Sequence, residues 1–198
     1  TVARWWKTIR QKAISTSQQA QNSVNFYKGK DFRKLNADIR KGLNLDSKQK
    51  TIFKTLSKIL SESSAPENLT LFRGTGNAEV LSKLFPDIKP QSETLESWKE
   101  AIDGKISSEK KSGGLKTTNK TFTSTSLTSK KALDTKVMMR IKIRKGQKGM
   151  APIVGNMIRE YQFQQEILIE PGRTFLCNKV YIEKGKLWID AELIDVEE

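Results

Sequence analysis

The spacing of apolar residues changes along the chain from a helical period to a strand period. Apolar side chains recur at helical intervals from about residue 2 to residue 24, and a second helical pattern covers about residues 32–41. This second pattern ends at Gly42, and glycine is a typical residue for the end of a helix. Asp46 can cap a third helix. The apolar face of that helix consists of Ile52, Phe53, Leu56, Ile59 and Leu60.

After the third helix the pattern becomes mixed. Residues 69–73 form a short apolar run with strand character that stops at Gly74. Two further helices are predicted near residues 78–84 and 93–106. The stretch 107–120 is polar and contains two adjacent glycines, so it is predicted to be a mobile loop.

Strands dominate the last third of the chain. Strand patterns occur at residues 121–126, 137–143, 166–170, 180–182 and 187–189. The last two flank a Glu183-Lys184-Gly185 turn and predict a β-hairpin, and the acidic residues 190–198 are expected to be solvated. Helices first and strands later indicate an α+β fold. We expect a single domain over residues 1–198, with a helical portion over about 1–65 and a sheet core over about 66–198.

The charge of the chain is strongly unbalanced. It contains 36 Lys and Arg residues against 22 Asp and Glu residues, a formal net charge of +14. This surplus favours an anionic partner such as nucleic acid, a membrane surface, a phosphorylated ligand or an acidic protein, and it also fits a solubilising lysine-rich surface. No apolar stretch approaches the roughly 20 residues of a membrane-spanning helix, so none is predicted.

The absence of histidine limits the classes of reaction that the chain can catalyse. Ser-His-Asp hydrolysis and Cys-His proteolysis both need an imidazole base, so both are excluded. Cys177, the one cysteine, lies in an apolar run and is expected to be a buried apolar residue. One cysteine without histidine leaves almost no ligands for zinc, so we expect no metal.

Three short motifs place reactive side chains at predicted strand ends. Arg73 closes a strand beside Gly74, and its planar guanidinium suits phosphate oxygens. Residues 123–126 are four consecutive hydroxyl donors. Gln164 and Glu166 are two positions apart, so on a strand both side chains face the same side. Each motif alone is typical of an exposed strand end, and it is their order along the chain that indicates a function.

In this order the motifs resemble those of bacterial mono-ADP-ribosylating toxins of the Arg–Ser–Glu class. The chain is most similar to the Rho-inactivating, clostridial-type exoenzymes. The resemblance rests on residues 35–40, 66–74, 124–127 and 164–169, and it covers about residues 25–198. It implies an ADP-ribosyltransferase fold in which two packed, mainly antiparallel β-sheets form an NAD cleft.

The resemblance also implies roles for individual residues. Glu166 would be the carboxylate that stabilises the positive charge on the ribose when the nicotinamide bond of NAD⁺ breaks, with Ser124 holding its orientation. Arg73 and Arg40 would bind phosphate oxygens, and Gly74 would let the backbone approach NAD⁺. The implied catalytic residues are Glu166, Gln164, Ser124 and Arg73. The implied NAD⁺ ligands are Asn36, Arg40, Arg73, Gly74, Ser124 and Glu166.

Gln164 bears on the choice of acceptor. Arginine-modifying relatives carry a second glutamate at this position, whereas an amide can pair with the amide of an asparagine or glutamine. The resemblance therefore implies transfer to an asparagine of a Rho-type small GTPase, with NAD⁺ hydrolysis as a side reaction. Tyr161 and Phe163 are the aromatic candidates for docking that substrate. The family's nicotinamide-stacking phenylalanine is replaced by Leu133, which predicts weaker NAD⁺ binding or cover by another side chain.

Two other classes of function stay open at this point. A guanine-directed transferase, or one acting on another protein, fits the basic surface, but no basic–aromatic strip for stacking bases is visible, so nucleic acid is not the expected partner. A catalytically inactive basic binding module is the second class. Its anchor would be the first helix, which contains Trp5, Trp6, Lys7, Arg10 and Lys12. A helical apolar stripe more often packs on its own domain.

The resemblance further implies where the protein acts. A toxin of this type is secreted by a bacterium and acts in the cytosol of a target cell. A separate cell-binding or translocation component fits this picture, because no translocation segment is visible in the sequence. We expect the protein to be a monomer.

Overall fold

The computed structural model describes residues 4–5, 22–23, 26, 31–152 and 166–195. Its helices are α1 (Asp31–Arg40), α2 (Ser47–Ser61), α3 (Val80–Leu84) and α4 (Leu95–Glu109). Its strands are β1 (Leu69–Gly76), β2 (Leu115–Asn119), β3 (Thr123–Ser126), β4 (Val137–Ile143), β5 (Met150–Pro152), β6 (Glu166–Ile169), β7 (Arg173–Glu183) and β8 (Lys186–Leu193). Short 3₁₀ turns lie at Lys110–Ser112 and Ser129–Lys131. Helices combined with mainly antiparallel strands confirm the predicted α+β class.

The chain divides into two compact units whose segments alternate along the sequence. Of the described residues, those within 1–68, 119–125 and 144–172 form the first unit, and those within 69–118, 126–143 and 173–198 form the second. The division passes through β3, so its last residue belongs to the second unit. A single domain over the whole chain, and two sheets packed over an NAD cleft, stay predictions.

The first unit contains α1, α2 and the strand order β3–β6–β5. Its hydrophobic core consists of Leu35, Ile52, Leu56, Leu60, Phe122, Ala151 and Leu168. Phe122 is 2% exposed, and its ring lies 6.0 Å from the ring of Phe32 and 5.6 Å from that of Phe53. The apolar face predicted for the third helix therefore packs on the sheet through this aromatic cluster.

The capping interactions of α2 explain where the helix begins and how it is held to α1. The Asp46 side chain accepts a hydrogen bond from the Gln49 backbone N–H at 2.7 Å, and the Gln49 side chain accepts one from the Asp46 N–H at 3.1 Å. Gln49 Nε2 also donates to Asp38 on α1 at 2.8 Å. Hydrogen bonds from Lys34 and then Gln49 hold the pKa of Asp38 below its usual value. Beyond α1, Gly42 adopts φ +66°, as the predicted helix stop requires.

The second unit contains α3, α4 and the strand order β2–β7–β8–β4–β1. β4 and β8 are parallel, whereas β1–β4 and β7–β8 are antiparallel. α4 packs on β7, with Trp98 and Ile102 fully buried. Cys177 is buried in β7 as predicted, and this burial raises the pKa of its thiol to about 12.

The hairpin predicted around Lys184 is confirmed. Glu183 pairs with Lys186, and the two residues between them, Lys184 and Gly185, have φ of +50° and +72°, as a type I′ turn requires. The prediction that residues 190–198 are solvated is wrong for residues 190–193, which belong to strand β8. β8 continues to Leu193, and alternate side chains of this stretch are buried because they pack on the sheet.

The prediction of a mobile loop over residues 107–120 is also wrong. This stretch contains the end of α4, a 3₁₀ turn and β2. In β2 the residues Leu115 and Thr117 are buried and Lys116 is exposed, which is a strand alternation expressed in mostly polar residues. The Thr117 hydroxyl donates to the carbonyl of Leu84 at 2.9 Å, so a polar residue occupies a core position.

Some element boundaries also differ from the prediction. β1 continues past Gly74 to Gly76, because the strand stays paired with β4 to its end. β5 forms in a segment for which no strand was predicted, and it pairs with β6. In the described parts of the chain, no helix has both the length and the hydrophobicity needed to cross a bilayer.

Candidate active site

Ser124 and Glu166 meet because β3 and β6 are neighbouring strands. Glu166 is the first residue of β6, and Ser124 is the second residue of β3. The Ser124 hydroxyl donates a hydrogen bond to Glu166 Oε1 at 2.6 Å, and both side chains are half-buried. A bond this short to a carboxylate is charge-assisted and fixes the orientation of the Glu166 side chain. The predicted contact is therefore present.

A second hydroxyl fixes the strand that carries Glu166. The Thr125 side chain donates to the carbonyl of Ile167 at 2.7 Å, and both residues are buried. Successive residues of a strand face opposite sides, so Ser124 holds the carboxylate while Thr125 holds the backbone beside it. The rest of β6, Ile167 to Ile169, is fully buried. The carboxylate consequently lies at the end of a rigid strand.

Asn36 and Arg40 lie one turn apart on α1 in the first unit. Asn36 is 7% exposed, and its Oδ1 has no hydrogen-bond partner among the described residues. Arg40 is exposed at the last residue of the helix. A buried carbonyl oxygen without a donor costs free energy, so Asn36 is a point at which the described structure leaves a polar group unsatisfied.

Arg73 and Gly74 lie in β1 of the second unit. Arg73 is half-buried, and the preceding residue, Phe72, pairs with Ser126, the last residue of the Ser-Thr-Ser motif. A Cβ atom at Gly74 would lie 1.8 Å from the carbonyl oxygen of Leu133. Glycine is therefore required here by the protein's own backbone, and a further role toward NAD⁺ stays a prediction.

Leu133, the residue in the place of the expected nicotinamide-stacking phenylalanine, is 71% exposed. The loop that carries it is tied to the end of β1 by Thr135, whose hydroxyl accepts from the Gly76 N–H at 3.4 Å and donates to the Val137 carbonyl at 2.8 Å. An apolar side chain is thus held in solvent next to the arginine strand.

Three predicted site residues, Tyr161, Phe163 and Gln164, lie outside the described residues. Across the described segments, no three acidic, histidine or cysteine side chains gather into a metal-binding group. The structure thus brings Ser124 and Glu166 into contact and supplies a buried polar group at Asn36.

The family model of the ADP-ribosyltransferase exoenzymes matches residues 3–195, almost the whole chain. The chain belongs to this family. The resemblance stated from the motifs and the prediction of an ADP-ribosyltransferase enzyme are therefore confirmed. Comparison with curated proteins gave no match.

Solved structures show the same fold. The chain is similar to C3stau2 from S. aureus with NAD, at 18% identity over 98% of this chain and 95% of that one, with a TM-score of 0.68. It is similar to the Clostridium limosum C3 exoenzyme at 19% identity over 98% and 93%, with a TM-score of 0.67. It is also similar to C2-I, the enzymatic component of the C2-toxin from Clostridium botulinum, at 22% identity and a TM-score of 0.69. That match covers 96% of this chain but 47% of C2-I, so this exoenzyme chain spans about half of its length.

Proposed function

We propose that this exoenzyme transfers ADP-ribose from NAD⁺ to an asparagine of a Rho-type small GTPase and hydrolyses NAD⁺ as a side reaction. The observation that carries the proposal is the 2.6 Å hydrogen bond between Ser124 and Glu166. It holds a carboxylate in a fixed orientation at the start of a buried strand, as charge stabilisation requires. Two structures of similar toxins contain NAD or NADH, which supports NAD⁺ as the co-substrate.

Glu166 would act on the bond between the nicotinamide nitrogen and the ribose. That bond breaks with its electron pair leaving on nicotinamide, and positive charge develops on the sugar. A fixed carboxylate that binds the ribose hydroxyl beside the reacting carbon stabilises this charge. The acceptor then forms a bond to the ribose carbon and loses a proton. Because nicotinamide leaves as a neutral molecule, no histidine acid is needed, which fits a chain without histidine.

NAD⁺ would be held by groups of different chemistry. The guanidinium groups of Arg40 and Arg73 suit the phosphate oxygens. Asn36 Oδ1, buried and without a partner in the described structure, suits a hydroxyl or amide donor. Because Asn36 and Arg40 are one helical turn apart, one face of α1 would supply both.

The acceptor would be selected by Gln164 together with Tyr161 or Phe163. The amide of Gln164 can donate to and accept from an asparagine side chain, a pairing that a glutamate at this position would not offer. The aromatic side chains supply contact area for docking a protein substrate.

The proposal is tested by transfer of labelled ADP-ribose to a purified Rho-type GTPase. We expect wild type to label the GTPase, Glu166→Gln to lose labelling and NAD⁺ hydrolysis, and Gln164→Ala to hydrolyse NAD⁺ without transfer. Glu183→Gln, which changes an exposed glutamate in the hairpin, is the matched control and should keep both activities. If hydrolysis persists but the label enters another protein or guanine, the acceptor is wrong; activity without Glu166 would overturn the catalytic assignment.

The environment of Trp5 argues against the rival reading of an inactive membrane-anchored module. Trp5 is 7% exposed, and its indole N–H donates to the Ser63 hydroxyl at 3.1 Å. A tryptophan buried on the first unit does not serve as an interfacial anchor.

Action as a secreted, monomeric toxin in the target-cell cytosol, with a separate cell-binding component, completes the proposal. C2-I, the enzymatic component of a toxin, supports that last element.

A further inference from the structure

One helix of the first unit presents a row of lysines. On α2, Lys50, Lys54 and Lys58 are spaced four residues apart, so they form a single stripe about 12 Å long along the helix axis. All three side chains are exposed, whereas the opposite face of the helix is buried in the core. The 15 residues of α2 contain four lysines and no acidic residue.

On α1 and α4, by contrast, the lysines form ion pairs with acidic residues of the same helix. Lys34 on α1 pairs with Asp38 at 2.8 Å. On α4, Lys99 pairs with Asp103 at 2.6 Å and Lys105 with Glu109 at 2.9 Å. Each of these is an opposite-charge pair four residues apart, which stabilises a helix, whereas like charges at that spacing destabilise it. The stripe on α2 has no acidic partner within the described structure, and it is unfavourable for the isolated helix.

The basic surface continues beyond the end of the helix. The segment after α2 pairs with the turn at residues 144–149, because the Gly149 N–H donates to the Ser63 carbonyl and the Ala65 N–H to the Gln147 carbonyl. That turn carries exposed Lys145, whose backbone N–H donates to the Asn68 side chain at 2.8 Å. Together with the three lysines of the stripe on α2, Lys145 makes four exposed cations. Clusters of about four to eight basic residues are typical of sites that bind anionic lipid headgroups.

We propose that this lysine stripe docks on an anionic phospholipid surface. Lysines are compact point charges without the planar fork that reads a specific carboxylate or phosphate, so they suit a diffuse plane of negative headgroups. Protein interfaces are depleted in lysine and enriched in aromatic residues and arginine. None of the exposed positions of α2 is aromatic, so a stacking platform for single-stranded nucleic acid is absent from this helix.

The test measures the binding of the whole chain to phosphatidylcholine vesicles with and without about 30% phosphatidylserine. Each lysine near an anionic leaflet contributes a factor of roughly five in partitioning, so K50Q/K54Q/K58Q should lose on the order of 100-fold. The matched control, K83Q/K89Q/K116Q, removes the same charge from exposed lysines of the second unit and should lose much less. Binding should also vanish at about 0.5 M salt.

Each outcome decides the proposal independently of catalysis. Equal losses for the two triple variants would show that net charge alone drives binding, and would overturn the proposal. So would absence of wild-type binding to the anionic vesicles, or displacement of the chain from vesicles by duplex DNA at equal charge concentration. Circular dichroism confirms that both variants fold, and K54E, which creates opposite-charge pairs with Lys50 and Lys58, should fold at least as well and bind more weakly than wild type.

Discussion

At the scale of single residues, two contacts define the candidate site and its supports. The Ser124 hydroxyl lies 2.6 Å from Glu166 Oε1, and the Thr125 hydroxyl lies 2.7 Å from the Ile167 carbonyl. Adjacent residues of one strand thus restrain the carboxylate and the backbone of the next strand. Such restraint matters because a group that stabilises transient charge is effective only when it is already oriented.

Replacing Ser124 with alanine should lower activity without unfolding the protein. The lost hydrogen bond frees the Glu166 side chain, so we expect kcat for NAD⁺ hydrolysis to fall roughly 10- to 100-fold with KM little changed. Ser124→Thr, which keeps the hydroxyl, should recover part of the rate, and Ser129→Ala in an exposed turn is the control. Equal activity of Ser124→Ala and wild type would show that this contact does not orient the carboxylate.

Gly74→Ala should destabilise the second unit. The added Cβ would lie 1.8 Å from the Leu133 carbonyl oxygen, and a backbone atom cannot move aside without displacing its loop. We expect a loss of about 2 kcal/mol or more in urea unfolding. Gly104→Ala is the matched control because no atom beyond its own stretch of helix lies within 4 Å of its added Cβ, and within a helix the same change should stabilise by about 0.5–1 kcal/mol. A neutral Gly74→Ala would mean that the Leu133 loop is not held there.

The sequence alone predicted the contact between Ser124 and Glu166, but it did not predict the contacts that support the site. The hydroxyl–carboxylate contact followed from the order of the motifs, and the burial of Ile52, Leu56 and Leu60 followed from the apolar face predicted for the third helix. The contacts Thr125–Ile167 and Gly74–Leu133 had no sequence signal. Both join residues distant in the chain, and each depends on a backbone atom, whose position no side-chain pattern records.

At the scale of elements, local signals set the helices and long-range pairing set the strands. The N-cap at Asp46 and the helix stop at Gly42 lie where the sequence predicted them. In contrast, β2 was hidden in a polar stretch, because Thr117 reaches a core position only by bonding the Leu84 carbonyl. Leu115 is the one apolar residue among the buried positions of β2, so the strand has no hydrophobic alternation and its existence depends on the partner strand.

Asp46→Ala should destabilise α2 and the first unit. It removes the acceptor for the Gln49 N–H and loosens Gln49, whose amide also bonds Asp38. The expected loss is about 1 kcal/mol in chemical unfolding, and Asp46→Asn should lose much less because its side-chain oxygen still accepts. If both variants lose the same amount, the charge at the helix start, and not the cap, is responsible.

At the scale of the whole molecule, the chain builds two units from interleaved segments. Residues far apart in sequence therefore join in each unit, as Leu35, Phe122 and Leu168 do in the first core. The order of helices and strands correctly predicted the α+β class. The interleaving could not be predicted, because it follows from which strands pair and not from the composition of any segment.

The thiol of Cys177 should report on the opening of the second unit. Burial raises its pKa from the usual 9.0 to about 12, so in the folded protein the thiol stays protonated and unreactive near neutral pH. A thiol reagent should label the chain only after unfolding. Because the folded pKa is raised, the associated stability is present below about pH 9 and is lost as pH rises towards about 12. Rapid labelling of the native protein would contradict the buried position.

The most direct test of the central claim is the release of nicotinamide from NAD⁺ by wild type and Glu166→Gln, measured on proteins with the same unfolding midpoint. The substitution keeps the shape of the side chain and removes its negative charge. We expect the rate to fall by about 10²–10³-fold, the usual cost of removing a preoriented charge from a transition state. An unchanged rate would contradict the assignment of Glu166 as the carboxylate that stabilises the developing charge.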